Sequence, residues 1–135
     1  MSTINATTVQ ATNVQDTAGA NSSTTAQLLS GRAKAWVNFN GDAFTTRGSF
    51  NVSSVDDRGT GIYTINFDTD FSNANYSSVF GGGYITGATG DNTMVIVSAE
   101  AGYTPAADSI KISTHYVNGT ESDFPWICAS FFGDQ

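Results

Sequence analysis

Charge is scarce in this 135-residue sequence: Asp, Glu, Lys and Arg together make up 13% of it, about half the share of an average soluble domain. Basic side chains are scarcest. Arg32, Lys34, Arg47, Arg58 and Lys111 stand against 12 acidic residues, for a net charge of −7. Nucleic acid needs clustered Lys and Arg to displace counterions from its phosphates, and an anionic membrane surface asks for the same, so the balance argues against both partners. Cysteine and histidine occur once each, as Cys128 and His115. A lone cysteine forms no intrachain disulfide and fits assembly in a reducing place. One Cys with one His also excludes a structural zinc site within one subunit. No apolar run approaches the roughly 20 residues of a membrane span. Met1-Ser2-Thr3-Ile4 lacks the basic start and apolar stretch of a signal peptide, so cytosolic synthesis without secretion is expected.

What the chain has instead is Gly, Ser, Thr and Asn, with Tyr, Phe and Val among them. That mixture favours strands joined by tight turns over helices, and the expected class is all-β. Composition changes at Gly31. Before it there is no aromatic residue, and Asp16 is the single charged side chain. Such a segment buries too little apolar surface to order itself alone. Residues 1–31 are therefore read as an N-terminal arm, either a flexible tail or an extended segment ordered by a partner. A weak repeat, Val9-Gln10-Ala11-Thr12-Asn13 then Val14-Gln15-Asp16-Thr17-Ala18, favours extended structure, with Ile4, Val9 and Val14 free to pack on neighbouring chains. Ser22 or Ser23 can cap a short linking helix that ends at Gly31, anchored by Leu28 and Leu29.

From residue 32 to 135 strands and turns alternate. In Ala33 to Phe39 the period of two places Ala33, Ala35, Val37 and Phe39 on one face, with Lys34, Trp36 and Asn38 on the other. Asn40-Gly41 is a short-hairpin signal because both residues tolerate positive φ. A strand through Phe50, Val52 and Ser54 comes next, then a turn over Asp56 to Gly61, then a strand over Ile62 to Phe67. Four more are expected over Asn75–Phe80, Thr93–Ala99, Ser109–Val117 and Trp126–Phe132, with Gly81-Gly82-Gly83 a bulge or bend and Asn118-Gly119 a second tight turn. Roughly seven or eight short strands at about 8–12-residue spacing indicate a small antiparallel β-sandwich or barrel, which spacing does not separate.

The catalytic inventory is thin. His115 sits mid-strand and is read as a structural or surface histidine, since a triad needs a nucleophile and an orienting acid around it. Cys128 lies in an apolar strand with no basic neighbour in sequence to activate it, and is read as an inert thiol. Asp68-Thr69-Asp70 begins like a calcium loop, but the sixth and twelfth positions are Asn73 and Val79 where an EF-hand needs Gly and Glu. Asp56-Asp57 belongs to a turn. Gly81-Gly82-Gly83 completes no phosphate-binding motif. Trp36, Tyr63, Tyr76, Tyr84, Tyr103 and Trp126 can stack on sugar rings, although aromatic residues alternating in strands more often serve cores or subunit contacts. No catalytic, cofactor-binding or metal-ligating residue is assigned, and neither an enzyme nor a cofactor is expected.

One series of motifs carries a resemblance. Ser22-Ser23-Thr24-Thr25 leads to Gly31-Arg32-Ala33-Lys34-Ala35-Trp36-Val37-Asn38-Phe39-Asn40-Gly41, then Ser49-Phe50-Asn51-Val52-Ser53-Ser54, Gly59-Thr60-Gly61, Tyr63-Thr64-Ile65-Asn66-Phe67 and Ala74-Asn75-Tyr76-Ser77. In that order the motifs resemble a module of tail fibre and virion appendage proteins of marine and cyanobacterial tailed phages. The match runs over about residues 13 to 77 and returns in the final strand, Trp126 to Phe132. The resemblance implies a virion component assembled in the host cytoplasm, commonly a homotrimer, without cofactor or catalysis. Other virion proteins of the tail, baseplate or capsid would then be met through the arm. The expected function is thus a short trimeric fibre or spike with a role in host attachment. The alternatives are a carbohydrate-binding module for host surface glycan, or a head decoration or adaptor protein, because the module occupies nearly the whole sequence and no long shaft accompanies it.

Overall fold

The computed structural model describes residues 8, 11–15, 18, 22–83, 94–97 and 103–135. The chain divides into two compact units, Met1–Arg32 and Ala33–Gln135.

In the first unit the arm doubles back on itself. Strand β1 (Asn13–Gln15) pairs antiparallel with β2 (Ser22–Thr24), and helix α1 (Thr25–Gly31) follows directly. The cap of α1 is Thr24, not Ser22 or Ser23, because those two serines are strand residues. The Thr24 hydroxyl accepts from the Gln27 amide at 3.1 Å, and the Gln27 side chain accepts from the Thr24 amide at 2.8 Å. This reciprocal capping box satisfies two amides at the first turn. No residue of α1 is buried, and Leu28 and Leu29 are about half exposed.

The second unit is a β-sandwich. Its strands are β3 (Ala35–Asn40), β4 (Thr45–Phe50), β5 (Val52–Gly59), β6 (Ile62–Phe67), β7 (Ser77–Gly83), β8 (Met94–Val97), β9 (Ser109–Tyr116) and β10 (Trp126–Phe132). They form two antiparallel sheets of four strands, in the orders β4-β3-β10-β7 and β5-β6-β9-β8. Alternation works as the sequence pattern requires. Ala35, Val37 and Phe39 of β3 and Ile127, Ala129 and Phe131 of β10 point inward. They meet Tyr63, Ile65 and Phe67 of β6 and Ile110 and Ile112 of β9. Edge-on ring contacts tie the layers together, Phe39 to Tyr63 at 5.0 Å and Phe67 to Phe131 at 5.1 Å, in the geometry the ring quadrupoles favour.

Three expectations need correction. The strand read through Phe50, Val52 and Ser54 is broken at Asn51, where φ is +53° and the chain leaves one sheet for the other. Asn is among the few non-glycine residues that adopt this conformation readily. Its side chain accepts from the Thr69 amide at 2.7 Å and donates to the Thr69 carbonyl at 3.0 Å. Next, β5 runs on through Asp56 and Asp57 to Gly59, so the turn is confined to Thr60-Gly61. Finally, Gly81-Gly82-Gly83 forms neither bulge nor bend but continues β7, in unbroken register with Cys128, Ile127 and Trp126. Gly82 and Gly83 have φ of +153° and +148°, a region closed to residues with a Cβ.

The two hairpin signals have different physical origins. At Asn118-Gly119 the turn is as read: Gly119 has φ of +84°, and its amide donates to the Tyr116 carbonyl at 2.9 Å. At Asn40-Gly41 the loop holds four residues, and the positive φ belongs to Phe44, at +47°. Asn40 caps that loop by accepting from the Asp42 and Ala43 amides. Gly41 is required for space: a Cβ there would strike the Tyr63 hydroxyl and approach Ile127 Cδ1 to 2.9 Å.

Candidate interaction surface

The two sheets present unlike outer faces. On β5 and β6 the outward side chains form a hydrogen-bonded polar lattice. Asp56 accepts from Ser54, Arg58 and Asn66 at 3.1–3.2 Å, and Arg58 reaches Thr64 at 3.3 Å. The Arg58–Asp56 ion pair is exposed on both sides, so it contributes little to stability; the lattice mainly keeps this face wet.

The outer face of β4-β3-β10-β7 is the opposite. Register places Phe50 beside Trp36, Trp36 beside Ser130, and Ser130 beside Val79, one row across all four strands. Trp36 is 40% exposed, Phe50 55% and Val79 59%. Two outward positions further along β10 from Ser130, beyond Cys128, Trp126 is 44% exposed, and its indole N–H points at the Cys128 sulfur, 2.9 Å away. Between these large side chains lie small ones. Gly48 and Gly81 share the row of Asn38 and Cys128, and Gly83 sits beside Trp126. None of the four strands contains Asp, Glu or Lys. Their one charge, Arg47, is the extra residue of a bulge opposite Asn38 and Phe39. Its guanidinium donates to the Pro125 carbonyl at 2.6 Å and to Asn38 Oδ1 at 3.4 Å.

The six aromatic candidates for ring stacking separate cleanly. Tyr63 is fully buried and donates to Asp123 Oδ1 at 2.5 Å. Burial first, then that hydrogen bond and the charges of Asp123, Asp57 and Asp42, hold its hydroxyl far above the ordinary tyrosine range. Tyr76 is half-buried, with its hydroxyl near the carbonyls of Ala106 and Ser109. Burial, then the neighbouring Tyr103 and Asp108, raise it well above that range too. Tyr103 donates to the Ser109 carbonyl at 3.3 Å. Tyr84 lies outside the described residues. Trp36 and Trp126 remain, both on the outer face of β4-β3-β10-β7. Phe50 and Val79 share that face and were missed by the sequence reading; the break at Asn51 was the signal that would have placed Phe50 beside Trp36.

The other residues singled out do not converge on one site. His115 Nε2 lies 2.6 Å from the Ser113 hydroxyl and Nδ1 lies 3.2 Å from the Gly119 carbonyl. The carbonyl can only accept, so Nδ1 carries the proton and Nε2 accepts from Ser113. Ser113 is 2% exposed; the pair braces the turn after β9 and offers no open nucleophile. Cys128 is half-buried on the same face as Trp36 and Trp126. Asp68 and Asp70 are exposed in the loop after β6, and among the described residues no cluster of three His, Cys, Asp or Glu has the proximity to hold a metal ion. No described helix is long and apolar enough to cross a membrane.

No family model matches the chain, and no curated protein matches it. Among solved structures it is similar to the phiAB6 tailspike in complex with three-repeated oligosaccharides of Acinetobacter baumannii surface polysaccharide. The two are 18% identical with a TM-score of 0.44, over 100% of this chain and 30% of the tailspike chain. This chain thus spans under a third of that protein's length. A likeness this distant assigns neither family nor function.

Proposed function

We propose that this chain is a non-enzymatic structural component of a tailed-phage virion, a short homotrimeric fibre or spike that takes part in host attachment. The motif series from Ser22 to Ser77 supports the reading. The observation that carries it is the contrast between the two units. The domain closes a core of its own over both sheets, whereas the described helix of the arm buries nothing. A seven-residue helix and a hairpin of three-residue strands are too short to persist unaided in water. The arm is therefore the segment that gains order from other chains, sister subunits and neighbouring virion proteins alike, and the domain is what it displays. Sedimentation velocity on the full chain tests the assembly. Three copies per particle is the expected mass, and a monomer at all working concentrations overturns the reading. A reconstruction of the virion should show the arm docked in tail or capsid.

A second reading draws on Trp36 and Trp126, which are exposed on one face with Asn38 between their rows. Exposed indoles on a flat sheet suit the apolar faces of sugar rings, as a host-glycan module requires. Binding on a glycan array that disappears on replacing both tryptophans by Ala supports it. Unchanged binding after that replacement, or none to begin with, ends it.

A further inference from the structure

We infer that the outer face of β4-β3-β10-β7 is where copies of the domain meet, with Trp36, Phe50, Val79 and Trp126 as its anchors; the inference rests on the oligomeric reading above. Among the described residues six large apolar side chains of the domain are exposed, and four of them are on this face, the others being Phe44 and Val117. Singly exposed apolar residues need no explanation, but four on one sheet face, three of them in a single row with Ser130 between Trp36 and Val79, mark a contact surface.

Charge selects the occupant. The 32 residues of the arm carry one acid, Asp16, and one base, Arg32, so the whole net charge of −7 belongs to the domain. Copies of such a domain repel one another. The four strands of this sheet hold no carboxylate and one base, Arg47, whose guanidinium is already hydrogen-bonded to Pro125 and Asn38, so copies that meet on this face keep their carboxylates apart. The opposite sheet carries four charges, Asp56, Asp57 and Arg58 on β5 and Lys111 on β9, and a contact there would have to strip water from more of them. A basic partner would find no acidic complement on this sheet's strands, and an acidic one only Arg47, already engaged with Pro125 and Asn38. A second copy of the same carboxylate-free surface fits best.

Shape agrees. Large side chains stand next to small ones: a Cβ on Gly81 or Gly83, beside Cys128 and Trp126, would meet nothing within 4 Å, so another copy's ring has room to enter there. Four strands at about 4.8 Å spacing, each about 20 Å long, give roughly 400 Å² per face. That is half of the ~800 Å² each partner contributes to a standard interface. One pair of faces is a weak contact; three faces turned to a common axis each touch two others, and neutral arms add to the total.

The test uses two valines of equal exposure, Val79 on the face and Val117 off it, both 59% exposed. Val79→Glu should weaken self-association of the full chain at least about tenfold, since each copy brings the new charge to the same place. Val117→Glu should leave it unchanged. Maleimide labelling of Cys128 should be slow in the parent and in Val117→Glu, and fast in Val79→Glu. Trp36→Gln repeats the test away from the sheet edge, should Val79→Glu disturb folding by circular dichroism. An oligomer that survives both face substitutions overturns this assignment and leaves the fibre reading standing. A parent chain that is monomeric overturns both.

Discussion

The six-membered ring of Trp36 lies over Gly48 on the neighbouring strand, so that a Cβ on Gly48 would sit 3.5 Å from the ring's Cη2 and Cζ3. That is ordinary van der Waals distance, and Gly48 has no positive φ. Gly48→Ala should therefore be neutral or stabilising by up to about 1 kcal/mol, through loss of unfolded-state freedom. Gly41→Ala should do the reverse. Its Cβ would collide with a Tyr63 hydroxyl that Asp123 holds in place and with Ile127, an overpacking worth about 1–3 kcal/mol. Urea melts of the two variants should move in opposite directions, or Gly48→Ala not at all.

Tyr63→Phe keeps the ring in the core but removes the donor to Asp123 Oδ1, which still accepts from the Gly61 amide at 2.7 Å. The expected loss is about 1–2 kcal/mol, read as a lower urea midpoint at unchanged m-value.

Alkaline pH should unfold the domain from a defined point. Tyr63 and Tyr76 are raised by burial above the ordinary value, which the unfolded chain keeps near 10. Below about pH 10 both states hold these protons and the stabilisation is fully present. Above it the unfolded chain releases them and the folded chain does not, so stability falls as pH rises. Thermal melts should be flat with respect to these groups up to about pH 10 and decline beyond it, less steeply in Tyr63→Phe. An equal slope in parent and variant would show that Tyr63 is not responsible.

Asn51 combines a left-handed backbone with two hydrogen bonds to Thr69. Asn51→Ala loses both bonds and strains the corner, at about 2–3 kcal/mol. Asn51→Gly loses the bonds but relieves the strain and should fall between parent and Ala. If Gly proves worse than Ala, the conformation at this corner is not what matters.

In the arm, Thr24→Ala removes the side-chain cap of α1 and should cost the helix about 1 kcal/mol. Backbone chemical shifts of residues 25–31 should move toward coil, while those of β3 to β10 stay in place.

Much of the fold was legible because alternation is local. A period of two across Ala35 to Phe39 put Val37 and Phe39 inside and Trp36 outside without reference to any other strand, and the structure has them there. Asn118-Gly119 was readable for the same reason, since the positive φ taken by Gly119 is a local requirement that needs no tertiary partner. Gly81-Gly82-Gly83 was not. Three glycines mark backbone freedom, but whether they bend or extend depends on the strand beside them, and here β10 holds them in register. Gly41 likewise looked like a turn residue until Tyr63 and Ile127, distant in sequence, closed the space around it. The apolar face was half visible: Trp36 and Trp126 stood out, whereas Phe50 was assigned to the wrong strand and Val79 to no surface at all.

Composition and alternation by themselves determined an all-β domain, its inward and outward residues, and an arm too polar to pack alone. Only tertiary structure decided that the barrel alternative gives way to two sheets, and that Phe50, Trp36, Ser130 and Val79 stand in one row. That row exists because β10 inserts between β3 and β7, joining segments that lie far apart along the chain. Side-chain direction is set by each strand's own pleat, but neighbours are chosen by long-range hydrogen bonding and shared burial, which no local pattern encodes.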